Sequence, residues 1–218
     1  MVRYGMYIDM NRCIGCFGCA LACKQENFTP PGMWWSRVHV TETGEFPNTT
    51  IVNTPLQCNH CDNPPCVTVC PTGASYKRAD GIVVLDQDKC IGCKYCIQAC
   101  PYGVRSYLSK IAPYNPQYGF DPYEKYGYDK HQEGVVEKCI FCTHRIDEAA
   151  NNGLKPGVDR AATPACVITC VAYARVFGDL DDPNSEVSKM IAKNGARPLK
   201  PEFGTKPKIY YAGLPQEA

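Results

Sequence analysis

No apolar run in these 218 residues approaches the roughly 18 to 20 that a helix needs to cross a bilayer. The best stretch, Ala165 to Phe177, is too short, carries Cys166 and Cys170, and meets Arg175. No charged segment followed by an apolar one stands at Met1, so no signal peptide is expected. Charge of one sign is missing too. A net charge of +1 gives no basis for nucleic-acid binding. Histidine is scarce: His39, His60, His131 and His144 are too scattered for a catalytic constellation, and none is expected to bind metal. The covalent haem signature C-x-x-C-H is absent, because His60 precedes Cys61 and His144 lies one place too far from Cys142. Without a nucleophile-base arrangement or a phosphate-cradling glycine loop, no catalytic centre and no organic substrate are expected.

What the chain has instead is 16 cysteines, with 18 glycines and 18 prolines. So many turn residues predict a thin apolar core that depends on inorganic cross-links. The cysteines fall into four groups: Cys13, Cys16, Cys19 and Cys23; Cys58, Cys61, Cys66 and Cys70; Cys90, Cys93, Cys96 and Cys100; and a split set, Cys139, Cys142, Cys166 and Cys170. The third group with Pro101 reads C-x2-C-x2-C-x3-C-P, the run that holds 4Fe-4S clusters in bacterial ferredoxins, where the fourth Cys serves the other cluster of a pair. Short gaps let one loop wrap three thiolates around a cluster corner. The final x3 step spans about one helical turn and carries the fourth sulfur towards a neighbouring cluster.

Pro71 and Pro101 stop that turn, whereas Lys24 and Val171 stand at the matching places of the other groups. Four 4Fe-4S clusters are expected. A disulfide scaffold suits this spacing poorly. Zinc would suit Cys139-x2-Cys142 alone, as in a zinc-stabilised interaction module, but not the triple runs at Cys13, Cys16, Cys19 and at Cys90, Cys93, Cys96.

The predicted elements are a strand at Tyr4 to Ile8, a hairpin from Arg37 to about Ile51 turning at Thr43-Gly44-Glu45, and a buried strand over Ile82 to Leu85. A helix is expected from Thr143 to Ala150, ended by Gly153, and another from Pro183 to Lys193 with Asp182 as N-cap. Residues 107–134 read as a Tyr- and Pro-rich excursion without helical or strand period, either an interface or a self-packed loop. The fold class is α+β, cysteine-rich and loop-rich, with two interleaved ferredoxin-like modules and an extended C-terminal tail. Residues 1–27 and 135–178 make an outer module, 28–57 a hairpin insertion, 58–106 a central module, 107–134 the insertion, and 179–218 a C-terminal helix and tail. Gly15, Gly18 and Gly92 suit close approach of backbone to cluster sulfur, or simply turns. Lys24, Lys94 and Lys138 sit beside ligands, where they either raise potentials or are ordinary exposed lysines. Trp34 and Trp35 read as core or interface packing.

Over nearly its full length the chain resembles the four-cluster ferredoxin subunit, the beta subunit, of the dimethyl sulfoxide reductase or molybdopterin oxidoreductase superfamily. The motifs are CIGCFGCALACKQEN (13–27), PPGMWWSRV (30–38), CNHCDNPPCVTVCPTGASYKRADGIV (58–83), KCIGCKYCIQACPYGVR (89–105), KCIFCTHRID (138–147), PACVITC (164–170) and GTKPKIYY (204–211). The resemblance implies crossed ligation: Cys13, Cys16, Cys19 and Cys170 on the cluster nearest the catalytic subunit, then Cys23, Cys139, Cys142 and Cys166. Cys58, Cys61, Cys66 and Cys100 would hold the third, and Cys70, Cys90, Cys93 and Cys96 the fourth. It also implies electron relay to or from a large molybdenum or tungsten pterin subunit, with a membrane anchor, a quinone-linked partner or a soluble donor at the other end. A free-standing polyferredoxin and the relay subunit of a hydrogenase or formate-oxidising complex are the competing readings. Location stays open, since such subunits can be exported with a signal-bearing partner.

Overall fold

The computed structural model describes residues 2–214, so Met1 and the last four positions of the expected tail, 215–218, lie outside it. In the first half the elements are β1 (Tyr4–Asp9), α1 (Gly18–Asn27), β2 (Ser36–Glu45), β3 (Asn48–Gln57), α2 (Pro65–Thr68), β4 (Ser75–Lys77), β5 (Val83–Leu85), α3 (Tyr95–Gln98) and β6 (Ser106–Leu108). The second half adds α4 (Pro122–Tyr128), β7 (Val135–Glu137), α5 (Thr143–Asn151), α6 (Ala165–Ile168), β8 (Arg175–Asp179), α7 (Glu186–Lys193), β9 (Arg197–Pro198) and β10 (Ile209–Ala212).

One four-stranded sheet, ordered β8-β1-β10-β9, joins the two ends of the chain. β1 lies antiparallel to β8 and parallel to β10, with Met6 opposite Phe177 and Ile209. Met6, Tyr7, Ile8 and Ile209 are fully buried, so both faces of the sheet are covered at its two central strands, β1 and β10. The other sheets are two-stranded: β2-β3, β4-β5 and β6-β7. β6-β7 bridges residues that flank the Tyr-rich insertion, Ser106 with Glu137 and Leu108 with Val135.

The third-to-fourth cysteine step is a four-residue helix in α2, α3 and α6, as the x3 spacing requires. In the first group the helix runs on to Asn27, because Lys24 leaves it unbroken where proline would end it. Phe28 then takes the left-handed conformation that closes α1, and the Lys24 ammonium caps the turn on the carbonyls of Thr29, Pro30 and Met33. Lys24 is thus a structural cap.

Three sequence expectations are corrected. The hairpin turns at Phe46-Pro47, two residues later than expected, with Thr43-Gly44-Glu45 inside β2. α7 starts at Glu186 because the Ser185 hydroxyl caps it by accepting from Ser188 N, while the Asp182 carboxylate accepts from Asn184 N. The insertion holds a helix, α4, whose Asp121 and Glu124 form a reciprocal capping box with Pro122 at the first helical position. The Asp121-Pro122-Tyr123-Glu124 run carries that signal in the sequence. α4 lies on α1, with Tyr123 donating to Gln25 O at 2.9 Å and its ring 4.8 Å from that of Phe28.

Candidate metal centres

The four cysteine groups share one backbone shape. Two places after the first cysteine of each group, the chain enters the left-handed region: Gly15 at φ 67°, His60 at 44°, Gly92 at 68° and Phe141 at 54°. Three places after Cys70, Cys100 and Cys170 it does so again, at Gly73, Gly103 and Tyr173. Alternating handedness of this kind points successive N–H groups into one concavity, which is a seat for an anion. Gly15 and Gly92 therefore serve as left-handed turn positions. A Cβ on Gly92 would collide with the carbonyl of Gly134, and one on Gly15 would meet the Asn53 carboxamide, while the backbone of Gly15 hydrogen-bonds to the Cys13 thiol. Gly18 opens α1, and a Cβ there would lie 3.5 Å from Cys16 Sγ.

None of the 16 thiols is paired in a disulfide. Cys58, Cys61, Cys66 and Cys100 line one cavity, with Arg105 and Asn59 on its wall. Burial drives the Cys61 thiol up to about 12, with Cys58, Cys66 and Cys100 adding to the rise. Burial likewise raises Cys23 well above its ordinary value, helped by Cys139, Cys166 and Cys142. Cys13 is raised by burial and feels Cys19 and Cys170, whereas Cys96 is raised by burial and feels Cys90 and Cys70. Electrostatics also links the groups, Cys19 acting on Cys166 and Cys58 on Cys139. Cys16 and Cys93 are solvent-exposed, and Ile14 and Ile91 beside them are each 67 % exposed.

The surroundings suit iron-sulfur clusters. Among the described residues no three Cys, His, Asp or Glu side chains converge on a point for a single ion, as zinc would need. On the cavity wall the donors Asn59 Nδ2 and Arg105 Nη2 are buried without hydrogen-bond acceptors, which cluster sulfur would supply. Elsewhere sulfur already accepts bonds: Ser75 N to Cys70 at 3.4 Å, Ala174 N to Cys170 at 3.3 Å, Phe141 N to Cys139 at 3.4 Å, and Arg175 Nη2 to Cys19 at 3.4 Å. When bound, the clusters supply one-electron redox chemistry, which such bonds and burial tune.

Lys138 is fully buried, with its ammonium on the carbonyls of Val83 and Cys139, and Lys94 lies 3.8 Å over the Tyr107 ring. Trp35 is buried and Trp34 is 40 % exposed. Sequence reading passed over Arg105, Arg175 and His60. His60 is buried, its Nδ1 accepts from Val83 N, and its ring stacks on Phe141 with centroids 3.8 Å apart. Superposing the four groups would have exposed it, since a histidine and a phenylalanine hold the places that glycine holds in the other two.

A chain with this loop repeat, this thiol density and these sulfur-directed donors is an electron carrier of the multi-cluster ferredoxin class. The 4Fe-4S dicluster domain family matches it three times, over residues 12–74, 49–114 and 82–171. It is 45% identical over 97% of its length, and 79% of the relative's, to the iron-sulfur subunit assigned to a dimethyl sulfoxide reductase of Halobacterium salinarum. It is 41% identical to a subunit of the selenate reductase of Mesobacillus selenatarsenatis, over 96% of this chain and 72% of that one. It is 40% identical to the arsenate respiratory reductase iron-sulfur subunit of a Shewanella species, over 96% of each. The chain belongs to the four-cluster iron-sulfur subunits of the molybdopterin oxidoreductase superfamily. It relays single electrons through four 4Fe-4S clusters for the pterin-containing catalytic subunit of an oxidoreductase, and holds no catalytic centre of its own.

Proposed function

We propose that the relay runs in one line of four clusters, ligated by Cys13, Cys16, Cys19 and Cys170; Cys23, Cys139, Cys142 and Cys166; Cys58, Cys61, Cys66 and Cys100; and Cys70, Cys90, Cys93 and Cys96. The gathering of Cys58, Cys61, Cys66 and Cys100 around one cavity carries this reading, because Cys100 belongs to a different sequence group. The thiol neighbours of Cys13, Cys23 and Cys96 support the other three sets. The electrostatic influence of Cys19 on Cys166, and of Cys58 on Cys139, supports the order in which electrons pass. The outer module is then 1–27 with 135–178 and the central module 58–106, while 28–57, 107–134 and 179–218 pack around them.

The line ends where ligand sulfur reaches solvent, at Cys16 and at Cys93. At the Cys16 end, exposed Ile14, Phe17, Leu21 and Trp34 form the seat of the large molybdenum or tungsten pterin subunit. At the Cys93 end, exposed Ile91 and Tyr95 face the second redox partner, a membrane anchor or quinone-linked subunit. No helix among the described residues is long and apolar enough to span a membrane, so attachment there would run through that partner.

Ligation is tested by counting signals. The purified complex should hold about sixteen irons in this chain, with matching acid-labile sulfide. Cys100→Ser and Cys58→Ser should then remove the same cluster signal, and Cys93→Ser a different one. Loss of the same signal from Cys100→Ser and Cys93→Ser would refute the crossed sets. Leu21→Glu should release the large subunit and leave the irons in place; an intact complex would remove that end from the interface.

A further inference from the structure

Two buried arginines occupy one place in the internal repeat. Arg105 follows Cys100 by five residues, and Arg175 follows Cys170 by five. Arg175 is 4 % exposed, and its Nη2 donates to Cys19 Sγ at 3.4 Å while its Nη1 reaches Cys166 Sγ at 3.7 Å. Nη1 is also held by Gln57 Oε1 at 3.2 Å. Arg105 is 6 % exposed; its Nη1 donates to Ser75 Oγ at 3.0 Å and its Nη2 has no hydrogen-bond partner. The Arg105 charge acts on Cys66, Cys58 and Cys96.

Neither guanidinium forms an ion pair with a carboxylate among the described residues, unlike Arg3, Arg78 and Arg145. A cation buried without an acid demands an anion, and the neighbours on offer are sulfur ligands. On the ligand sets proposed above, Cys19 and Cys166 belong to different clusters, and so do Cys66 and Cys96. We infer that each arginine is shared by the two clusters of its module, its forked head donating to ligand sulfur on both, so that it raises both reduction potentials together.

The logic is electrostatic. A cluster gains negative charge on reduction, so a fixed cation within contact of its ligands favours the reduced form. A planar fork with donors on both arms can serve two sulfurs at once, which a lysine head on a single stem does less well. The junction between modules is built differently. Lys138 lies there with its ammonium on two backbone carbonyls, so Arg105 and Arg175 are potential-setting residues in pairs and Lys138 is a link between the pairs.

Potentiometric EPR of the complex with its partner subunits tests this. In Arg175→Gln the reduced-to-oxidised ratio of both outer-module clusters should fall about tenfold at fixed ambient potential, which is about 59 mV for a one-electron couple. The central pair should not move. Arg105→Gln should do the reverse. The lysine variants keep the charge but lose the fork, so both potentials of the pair should lie between those of the glutamine variant and the unmodified chain. A shift in one cluster only, or equally in all four, for the glutamine variants would overturn the inference. So would lysine variants with both potentials as low as in the glutamine variants. If a glutamine variant binds fewer irons, the lysine variant decides: both clusters of the pair should shift together, and a shift in one alone would overturn the inference. Failure of the ligand sets would show separately, as regrouped signals in the cysteine variants of an otherwise unmodified chain.

Discussion

The outer and central modules wrap thiols in the same left-handed turns, yet they close around them by different means. The central one is contiguous over 58–106, and the sheet that lies wholly within it pairs two three-residue strands, Ser75–Lys77 with Val83–Leu85. On the division proposed above, the outer one draws on distant parts of the chain and is completed by residues 197–212 in a four-stranded sheet lined by Met6, Ile8, Phe177, Ile209 and Tyr211, all nearly or fully buried. A module whose strands are three residues long buries too little apolar surface to stand alone, so its clusters are its framework. The main apolar core is shared, since Ile82, Val84, Tyr102 and Val104 of the central module pack in one cluster with Met6, Ile8, Phe177 and Ile209, but the long strands belong to the outer side of it.

The largest effect that could break this contrast is removal of iron under anaerobic conditions. It should abolish most near-UV CD, with amides of β4, β5 and α3 exchanging at once while those of β1 and β10 exchange more slowly. Retained near-UV CD, or equal exchange in both modules, would contradict the division. A sharper comparison sets the two loop glycines against each other. Gly92→Ala should cost on the order of 3 kcal/mol, because left-handed strain adds to a clash with the backbone carbonyl of Gly134. Gly15→Ala should cost about 1–2 kcal/mol, since it meets only the Asn53 side chain, which can turn aside. Thermal inactivation midpoints of the two variants would rank them.

The contact between modules is open to the same treatment. His60 and Phe141 accept left-handed backbone where the other two loops use glycine, and their stacked rings join the central module to the outer one. A double-mutant cycle with His60→Ala and Phe141→Leu should return a coupling of about 1 kcal/mol. Additive losses would mean that the stack contributes nothing across the junction.

The smallest effect lies within the outer module, where Glu26 of α1 accepts from Arg145 Nε and Nη2 of α5 at 2.6 Å each, with His144 at 2.7 Å. The Arg145 hydrogen bonds, reinforced by those of His144, hold the Glu26 carboxyl down at about 2, below its ordinary 4.5. A carboxyl lowered in the folded state contributes fully above its unfolded value and loses that contribution as pH falls from about 4.5 towards 2. Glu26→Gln should therefore lower stability by about 1 kcal/mol at pH 7, seen as a drop in melting temperature that shrinks across that acid window.

Much of the site is legible because the shape of each ligand loop is a local matter, even where the fourth ligand comes from far along the chain. The C-x2-C pairs and the C-x3-C steps determine loop length, the left-handed turns and the one-turn helices α2, α3 and α6. The capping box at Asp121 and Glu124 was equally local and was overlooked beneath the tyrosines, whose lack of apolar period hid a short helix. His60 was set aside because it was weighed as a ligand, when its place in the repeat marks it as a turn residue.

Residue type and spacing alone therefore settled the cofactor class and the number of clusters, since two-residue gaps and a one-turn step are set by backbone geometry within a dozen residues. Tertiary structure alone decided that residues 209–212 lie beside residues 4–9, that Arg105 and Arg175 are buried against sulfur without a carboxylate, and that His60 meets Phe141. Those contacts join segments up to some two hundred positions apart, and no spacing rule reaches that far: burial and charge compensation choose the partners once the chain ends have paired.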